Sequence, residues 1–390
     1  MELKNFSTVL FSLFIFIFIF IFISCITAKK STITQPKANI TGIKFLSEYD
    51  VPFALNYKNT TVGGLSGIDY DVLNNNYYFI CDDRSSINPA RFYKANISCT
   101  EKGIDTMYIT DVSYLLQPNG TTYPNNKQDR FNTPDPESIR YNPITGQLIW
   151  SSEGERILKE KDTVLSDPAI RVINLEGKFS DSFLIPNNLR MQSVEKGPRQ
   201  NSVFEGMSYA DNYKTLFVNV EEPCYEDGSR AAVSENNAYI RILKFDVATK
   251  KNTAQYAYKL DRVAYLPEPA TAFSINGVPE ILSIGDDQML VIERSFSTGR
   301  MACTIKVFLT DLQHASNIKN NPSLIDKKDF KPATKKLLLN MDELGIYIDN
   351  IEGLTFGPVL PNGHKTLLFI ADNNFNPSQK TQLLLFEVME

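Results

Sequence analysis

One pattern returns five times along this chain and constrains its fold more than any other feature. Each copy is a short apolar strand that opens with an acid or a serine, then a polar turn, then a strongly apolar strand that ends in an acid. The copies begin 68 to 75 residues apart, at Ser66, Glu137, Glu205, Glu280 and Glu352. A regular period of this kind is typical of repeat architectures, in which one unit cannot bury its apolar face alone.

Each repeat also has room for two further strands. β-Branched and aromatic runs supply candidates for them, for example at 170–175, 239–245 and 254–260. Four strands per repeat describe a propeller blade. The mean spacing of 71.5 residues requires about 358 residues for five blades. The chain after Cys25 supplies 365 residues.

The last repeat lacks one strand, because only residues 382–388 follow its apolar strand before the chain ends. Residues 40–49 form a strand candidate ahead of the first repeat, and pairing the two segments would leave no free sheet edge. We therefore predict an all-β fold, a single β-propeller of five four-stranded blades, or six if one repeat has diverged beyond recognition. The alternative is two unrelated β domains whose hairpins are alike by chance.

The amino terminus indicates export. Residues 9–23 are apolar apart from Ser12 and are followed by Cys25 and a polar stretch, the pattern of a secretory signal. Residues 22–25 also resemble the lipobox of bacterial lipoproteins, so lipidation of Cys25 stays open beside ordinary cleavage near Ala28. We predict a signal peptide at 1–25, a linker at 26–38 and the propeller domain at 39–390, in a protein that is secreted or anchored outside the cytoplasm by lipid.

The composition limits the kinds of partner that the protein is expected to bind. The chain has 40 Lys and Arg against 45 Asp and Glu, a net charge of −5, with 43% hydrophobic residues as in ordinary globular proteins. The one lysine-dense stretch, at 327–336, is better explained as a solvated loop and strand edge than as a phosphate-binding surface. We expect no nucleic-acid partner, a membrane contact only through a lipid anchor, and a monomer.

The cysteines leave the question of disulfides open. Four remain if Cys25 is lipidated or removed, an even number in an oxidising compartment: Cys81, Cys99, Cys224 and Cys303. One or two disulfides are compatible with this count, but their pairing does not follow from the sequence. No Cys/His spacing suits a structural zinc ion.

The repeated acids point to a metal site. In a propeller the first strand of each blade lines a central channel and the second returns antiparallel to it, so the start of the first and the end of the second lie on one face. We predict that acids at these positions bind a divalent cation: Asp82, Glu137, Glu153, Glu221, Glu280, Glu293 and Asp372. Ligands that are all oxygen suit a hard ion, Ca²⁺ foremost and Mg²⁺ as the alternative.

The alternative is a purely structural role, in which each acid caps its own turn or pairs with a nearby arginine, because ion-pair networks also gather carboxylates. The arginines concerned are Arg84, Arg140 and Arg294. If they turn inward instead, they would bind an anionic substrate such as a phosphate beside the metal. Asn373, which follows Asp372, would add a neutral amide for substrate binding.

With these motifs the chain resembles the phytase-like family, the group described as having esterase-like activity of phytase. The resemblance covers about residues 60–388 and is carried by Gly64-Leu65-Ser66-Gly67 with Asp82-Asp83-Arg84, Asp135-Pro136-Glu137 with Ser152-Glu153, Phe204-Glu205-Gly206-Met207 with Glu221-Glu222-Pro223, Leu290-Val291-Ile292-Glu293-Arg294, and Ile351-Glu352-Gly353-Leu354 with Asp372-Asn373-Asn374-Phe375. It implies an exported β-propeller that hydrolyses a phosphate ester or another ester. Ser66 departs from the acid pattern, so we expect a gap in the ring at the first blade.

The residues limit the chemistry of such a hydrolase. A serine triad is disfavoured, because both histidines, His314 and His364, fall in predicted loops and no Gly-x-Ser-x-Gly elbow occurs. Hydrolysis would instead use metal-activated water, with Glu205 or Glu352 as the general base. The competing hypothesis is a non-enzymatic binding or scaffold propeller that holds a structural divalent cation.

Overall fold

The second strand of each blade is apolar on both of its faces, and this property dictates the architecture. Thr215–Val220 is buried at all 6 positions and Thr366–Asp372 at all 7. Such a strand needs sheet neighbours at both edges and a packed layer on both faces, and blades stacked around an axis supply them. The computed structural model describes residues 35–234 and 237–390, and Gln35–Glu390 form one compact unit.

Five antiparallel four-stranded sheets form the blades, as the repeats predict. From the innermost strand outward they are β4 (Gly67–Asp71), β5 (Asn76–Ile80), β6 (Arg91–Thr100) and β7 (Gly103–Tyr114) in blade 1; β8 (Pro136–Asn142), β9 (Gln147–Ser152), β12 (Ala169–Ile173) and β13 (Phe179–Ser182) in blade 2; β14 (Phe204–Ala210), β15 (Thr215–Val220), β16 (Tyr239–Asp246) and β17 (Lys251–Lys259) in blade 3; β18 (Ser274–Gly285), β19 (Gln288–Ser297), β20 (Thr304–Asp311) and β21 (Thr334–Asn340) in blade 4; β22 (Asn350–Phe356), β23 (Thr366–Asp372), β24 (Thr381–Met389) and β1 (Gly42–Val51) in blade 5. The prediction of five blades is confirmed.

Short elements complete the described residues. Two small hairpins lie outside the blades, β2 (Asn56–Tyr57) with β3 (Thr60–Thr61), and β10 (Glu155–Ile157) with β11 (Val164–Ser166). Single 3₁₀ turns occur at Asn187–Leu189, Tyr225–Asp227 and Met341–Leu344.

The ring closes between the two ends of the propeller. β1 pairs antiparallel with β24, so that Gly42 lies opposite Met389 and Val51 opposite Thr381. The rings of Phe45 and Phe386 pack across this pair with their centroids 5.5 Å apart. The predicted closure by an N-terminal strand is therefore confirmed, and it covers the sheet edge that β24 would otherwise expose.

The core lies between neighbouring blades. A separate cluster of buried apolar side chains fills each of the five interfaces, for example around Trp150 between blades 1 and 2 and around Phe217 between blades 3 and 4. Each large side chain buried in this way contributes about 1.5–3 kcal/mol. The innermost strands contact one another in cyclic order around the axis, so residues at their starting ends are brought together.

The predicted signal peptide at 1–25, with Cys25, and the linker as far as residue 34 lie outside the described residues and stay predictions. Within the described part of the chain no helix is long and apolar enough to cross a membrane. The four cysteines found there, Cys81, Cys99, Cys224 and Cys303, are all unpaired.

Candidate metal and active site

β-Bulges aim three of the predicted acids into the channel. These acids are Glu137, Glu205 and Glu352. In blade 3 the register between β14 and β15 shifts so that Glu205 and Gly206 together oppose one residue. The same shift surrounds Glu137 in β8 and Glu352 in β22. A bulge bends its strand and redirects a side chain, and bulges are common beside functional sites.

The glycine that follows two of these acids is required by close packing at the axis. A Cβ on Gly206 would lie 2.6 Å from Cα of Glu280 on the neighbouring innermost strand. A Cβ on Gly353 would lie 2.6 Å from Cγ2 of Ile370. Any larger residue would force the strands apart, which explains the repeated Glu-Gly pair.

The fourth repeat differs from the predicted alignment. Gly277 pairs with Arg294 and Glu280 with Ile292 across β18 and β19, which makes Glu280 the counterpart of Met207 rather than of Glu205. Glu280 consequently lies deeper in the channel, where it is paired with an arginine and accepts a hydrogen bond from the Met207 amide at 3.1 Å. The expectation that Glu280 lies on the rim is corrected.

Glu293 also lies away from the rim. Its carboxylate accepts hydrogen bonds from the Tyr258 hydroxyl at 2.8 Å and the Asp261 amide at 2.9 Å, and it is paired with Lys335 at 2.5 Å. Tyr258 and Lys335 belong to outermost strands of blades 3 and 4. Glu293 therefore points between two blades, and we leave it out of the candidate ligands.

Five carboxylates meet at the starting ends of the innermost strands. This carboxylate cluster consists of Asp82, Asp135, Glu137, Glu153 and Glu205. Within it, oxygens of Asp82, Asp135 and Glu137 all lie within 4.8 Å of one another, and so do oxygens of Glu137, Glu153 and Glu205. Carboxylate groups at this spacing could hold a metal ion.

Asp135 was missing from the predicted ligands. It lies two residues before Glu137 and just ahead of β8, outside the strand pattern by which the repeats were aligned. The available signal was the spacing itself, because residues two apart in an extended segment point to the same side.

Burial and mutual repulsion act on the whole cluster. Burial is the largest cause in every case and raises the pKa of Asp135 to about 6 and that of Glu153 to about 8. Burial together with the neighbouring carboxylates raises the pKa of Asp82, Glu137 and Glu205 well above the usual range. Without a cation Glu153 therefore retains a proton near neutral pH.

Hydrogen bonding offers a test of whether the cluster fits a metal. Among residues 35–234 and 237–390, no basic side chain and no backbone amide pairs with the carboxylates of Asp82, Glu137 or Glu205; Asp82 shares a hydrogen bond with Asp135, and Glu205 shares one with Glu153. Glu153 accepts from the Val203 amide with one oxygen, while its other oxygen, Oε2, is buried without a partner. Structural carboxylates normally recruit donors when they are buried, so oxygens left open in this way fit a cation.

A second acidic group borders the cluster around Arg294. The Arg294 guanidinium lies 2.7 Å from Glu221 and 2.5 Å from Glu352, and the Asn350 amide donates to Glu352 at 2.9 Å. Asp372 accepts from the Asn374 amide at 2.8 Å, and its other oxygen is buried without a partner. Arg294 thus provides one positive charge at the edge of a strongly negative site.

Arg84 lies on the other side of the cluster. Its guanidinium is 3.4 Å from Asp135 and 2.5 Å from Glu155. Its chain neighbour Asp83 pairs with the buried Arg91 at 2.7 Å and not with Arg84. Arg84 therefore faces the carboxylate cluster.

Arg140 lies on the axis and is not available to a substrate in the acidic cavity. Its side chain is 2% exposed, and it donates to backbone carbonyls of Ile68, Met207 and Leu354. It also pairs with Glu280 at 2.5 Å. One arginine of blade 2 thus contacts all four other blades, which is a structural role, and its contact with a substrate stays a prediction.

A cavity of about 640 Å³ opens onto the acidic groups. Its wall includes Asp82, Glu137, Glu205 and Arg294, while Phe273, Phe296 and Tyr347 form an aromatic border. The size suits a small molecule. At the opposite end of the channel, beyond Arg140, lies a second cavity of about 270 Å³ with tyrosine-rich walls.

Asn373 holds a loop rather than facing the cavity. Its side-chain oxygen accepts from the amides of Gly64 and Phe375, at 3.0 Å in both cases, and the residue is buried. The neighbouring Asn374 and Asn376 line the cavity instead. The contact of Asn373 with a substrate stays a prediction, and Asn374 and Asn376 are the amides that face the cavity.

Both histidines are exposed, His314 in a loop and His364 in a hairpin turn beside Glu387. Neither lines the acidic cavity. This placement agrees with the sequence argument against a serine triad.

A family model described as "Phytase-like: Esterase-like activity of phytase" matches residues 60–375. The chain belongs to the phytase-like family. The match begins before the first innermost strand and ends just after Asp372, so it includes every member of the carboxylate cluster. No curated protein matches the chain.

Solved structures with a related fold are distant. An exo-β-1,3-galactanase from Phanerochaete chrysosporium is 12% identical, with a TM-score of 0.44 and with 88% of this chain and 65% of that chain covered. An endo-1,4-β-xylanase from Bacteroides thetaiotaomicron is 8% identical, with a TM-score of 0.42 and coverages of 83% and 90%. Similarities of this size carry no inference about function.

Proposed function

We propose that this phytase-like propeller is a metal-dependent hydrolase of phosphate esters or other esters. The observation that carries the proposal is the carboxylate cluster, in which Asp82, Glu137 and Glu205 face a cavity and, within the described residues, pair with no arginine, lysine or backbone amide. Buried carboxylates without donors cost several kcal/mol each when ionised. A site that retains them in this form has a use for the negative charge.

The proposed ligands are the five carboxylates of the cluster, and the ion is Ca²⁺ foremost or Mg²⁺, because both prefer oxygen ligands. When bound, such a cation lowers the pKa of a coordinated water and offsets charge on a phosphoryl or acyl oxygen. Glu221, Glu352 and Asp372 form an outer acidic group around Arg294 and complete the negative surroundings.

Glu205 is the better placed general base of the two candidates. Glu352 is engaged by Arg294 and Asn350, so its role is to hold the arginine in position. Glu205 shares a hydrogen bond with Glu153 and is not paired with a basic side chain, so in its ionised form it can accept a proton from the attacking water. Arg294, on the cavity wall, orients the anionic oxygens of the substrate.

A second candidate function is a binding propeller with a structural ion. The burial of Glu137, Glu153 and Glu205 together favours it, because a fully enclosed ion has no open position for a substrate. Removal of the ion would then lower the free energy of unfolding, and the protein would show no hydrolysis with or without the ion.

The deciding experiment measures turnover by the purified chain on a phosphomonoester, a phosphodiester and a carboxylic ester, first with EDTA and then with added Ca²⁺ or Mg²⁺. We expect hydrolysis of one class that the cation restores, and loss of turnover without unfolding in Glu205→Gln. Glu222→Gln is the matched control, a buried glutamate outside the cluster that is bound by Ser202 and Arg230. Absence of turnover, together with a melting temperature that the cation raises, supports the binding propeller instead.

We also propose that the protein is exported and acts as a monomer on a small anionic or ester substrate, with no nucleic-acid partner. The net charge of −5 and the acidic cavity oppose binding of a polyanion. N-terminal sequencing of exported protein tests cleavage, and loss of lipid labelling in Cys25→Ala tests lipidation.

A further inference from the structure

We propose that the cavity at the opposite end of the channel, here called the tyrosine cavity, binds a small organic cation that carries a methylated ammonium group. This cavity of about 270 Å³ lies beyond Arg140 and is lined by Tyr70 from blade 1, Tyr141 from blade 2, and Tyr209 and Tyr213 from blade 3. Cavities of about 300–1,000 Å³ enclose drug-sized ligands, so this one suits a smaller molecule. The inference does not depend on the proposed hydrolysis, because different residues line the tyrosine cavity and the acidic cavity.

The tyrosine rings are held in place by their neighbours. The rings of Tyr209 and Tyr213 lie with their centroids 5.4 Å apart and their planes at 61°, so they form a corner. Tyr141 packs against the buried Tyr78 at a centroid distance of 5.3 Å, and Tyr70 is stacked on a second buried tyrosine of β5 at 4.6 Å. The face of an aromatic ring attracts a cation within about 6 Å of its centroid, and several such rings around one space recognise quaternary ammonium groups.

The turn that carries Tyr213 has an unusual backbone. Three successive residues have a positive φ, Asp211 at 52°, Asn212 at 53° and Tyr213 at 64°. Asp and Asn tolerate this left-handed conformation, whereas a bulky side chain is an outlier there. Residues held in such conformations are concentrated at ligand clamps and active sites. The outlier in this turn is the residue that lines the tyrosine cavity.

The charges around the tyrosine cavity favour a cationic ligand. The charged residues that line it are Asp69, Arg140 and Lys365. Lys365 is already paired with Glu390. Arg140 is paired with Glu280 at 2.5 Å and lies 3.7 Å from Asp69. When both carboxylates are ionised, two negative charges share one guanidinium, and a cation bound in the cavity would balance the second.

Asp69 determines which kind of cation fits. Its carboxylate accepts hydrogen bonds from the Tyr141 amide at 2.7 Å and the Thr355 hydroxyl at 3.1 Å. A primary ammonium has three N–H donors that need acceptors, and these bonds already occupy Asp69. A fully methylated ammonium donates no hydrogen bond and is stabilised by nearby negative charge and by aromatic faces. The inferred ligand class is therefore a methylated ammonium rather than a primary amine.

The segment ahead of the first blade adds a wall that belongs to no blade. Gln35 and Pro36 line the tyrosine cavity. The backbone amide of Gln35 donates to Oδ1 of Asn212 at 3.2 Å, and its side-chain amide donates to the carbonyl of Tyr209. This segment therefore contacts the blade 3 residues that hold the tyrosine corner, and it encloses a ligand from outside the ring of blades.

Ligand-observed NMR titration of the full-length chain tests the inference with two probes, choline and its uncharged isostere 3,3-dimethylbutan-1-ol. We expect saturable binding of choline that is about tenfold tighter than binding of the alcohol. Tyr213→Leu removes one aromatic face and should weaken choline binding about 3–30-fold, whereas Tyr213→Phe keeps the ring and should bind choline as the wild type does. Tyr108→Leu is the matched control, because Tyr108 is 56% exposed on β7 and lies outside the cavity.

Asp69→Asn tests the charge separately from the rings. It should weaken binding of choline about tenfold and leave binding of the alcohol unchanged. Should this variant fail to fold, the comparison of Tyr213→Leu with Tyr213→Phe still decides the question. Equal affinities for choline and the alcohol, or no saturable binding of choline, overturn the inference. Choline binding that is the same in Tyr213→Leu as in Tyr108→Leu also overturns it, because the cation then binds elsewhere, for example in the acidic cavity.

Discussion

Arg140 is the residue whose loss should reveal how the propeller is held at its axis. It lies on β8 of blade 2, pairs with Glu280 of blade 4, and donates to carbonyls on the innermost strands of blades 1, 3 and 5. Arg140→Met keeps much of the side-chain volume and removes every one of these contacts. The perturbation therefore tests the charge and its hydrogen bonds rather than the packing.

The structure sets the size of the effect. Removing one partner of a buried ion pair costs about 3–5 kcal/mol, because the other charge stays buried. Unfolding entropy near 2.1 cal/mol/K per residue gives about 0.75 kcal/mol/K for the roughly 356 residues of Gln35–Glu390. Arg140→Met should therefore lower the melting temperature by about 4–7 °C.

The loss should also depend on pH. Burial raises the pKa of Glu280 to about 7, although Arg140 opposes the rise. In Arg140→Met that pKa rises further. At acidic pH Glu280 is then protonated, and no unpaired charge is buried beside the substituted residue. We expect a larger loss at pH 8 than at pH 5, with the sign set by the proton that folded Glu280 retains.

Differential scanning calorimetry at both pH values measures these changes. Arg190→Met is the control, because its partner Asp167 lies at 2.8 Å in an exposed pair and such a pair is worth no more than about 1 kcal/mol. The double variant Arg140→Met with Glu280→Met should recover at least half of the loss, because the buried Glu280 charge is removed. Asp69, which lies 3.7 Å from Arg140, keeps its hydrogen bonds from Tyr141 and Thr355. A double variant as unstable as Arg140→Met alone would refute the reasoning.

Three further predictions concern the site and the ring. In the metal-free chain burial raises the pKa of Glu153 to about 8, so the folded state retains a proton that the unfolded state loses. The free energy of unfolding should therefore fall as the pH rises from about 4.5 to 8, and added Ca²⁺ should raise the melting temperature more at pH 8 than at pH 4.5. A metal-free melting temperature that is equal or higher at pH 8 contradicts this prediction. Arg294→Lys removes a planar donor that reaches Glu221 and Glu352 together, and we expect kcat/KM to drop about 10–100-fold with folding retained, as circular dichroism would verify. Deletion of Gly42–Val51 leaves β24 as an open edge, and we expect oligomers by light scattering, in contrast to a monomeric intact chain.

The blades could be predicted because their cause is local to the sequence. A second strand whose central residues are apolar on both faces, as in β15 and β23, must be buried on both faces wherever it lies. Its recurrence every 68 to 75 residues sets the number of blades. The closing strand could be predicted by counting strands, because the fifth repeat lacks one strand and the strand candidate at residues 40–49 belongs to no repeat.

The error in the fourth repeat has a different origin. Glu280 and Val278 are two residues apart, and a register change of two residues keeps every side chain on its own face of the strand. The hydrophobic pattern is therefore identical for both alignments. Only the pairing of Gly277 with Arg294 and of Glu280 with Ile292 separates them, and that pairing is not visible in a single sequence.

The site was predicted in outline and missed in detail for a related reason. Acids at strand ends revealed which face of the channel is negative. Whether a particular acid remains open depends on its neighbours from other blades, such as Lys335 beside Glu293 or Arg294 beside Glu352. Such partners are more than 40 residues away along the chain, and local spacing does not reveal them.

The carboxylate cluster and the axial arginine are physically linked, because β8 carries both Arg140 and one member of the cluster, Glu137. Glu137 enters the cluster at the start of the strand, and Arg140, three residues on, binds the other four blades. Like charges packed together would relax by moving the innermost strands apart, and the contacts of Arg140 oppose that movement. The spacing of the carboxylates is then set by the fold before a cation arrives, which is the condition for a preorganised site. Arg140→Met should accordingly weaken Ca²⁺ binding, as measured by calorimetric titration of the metal-free protein with Ca²⁺, although Arg140 contacts no carboxylate of the cluster. Arg190→Met should leave Ca²⁺ binding unchanged. Equal affinity in both variants would show that the cluster keeps its spacing without the axial arginine.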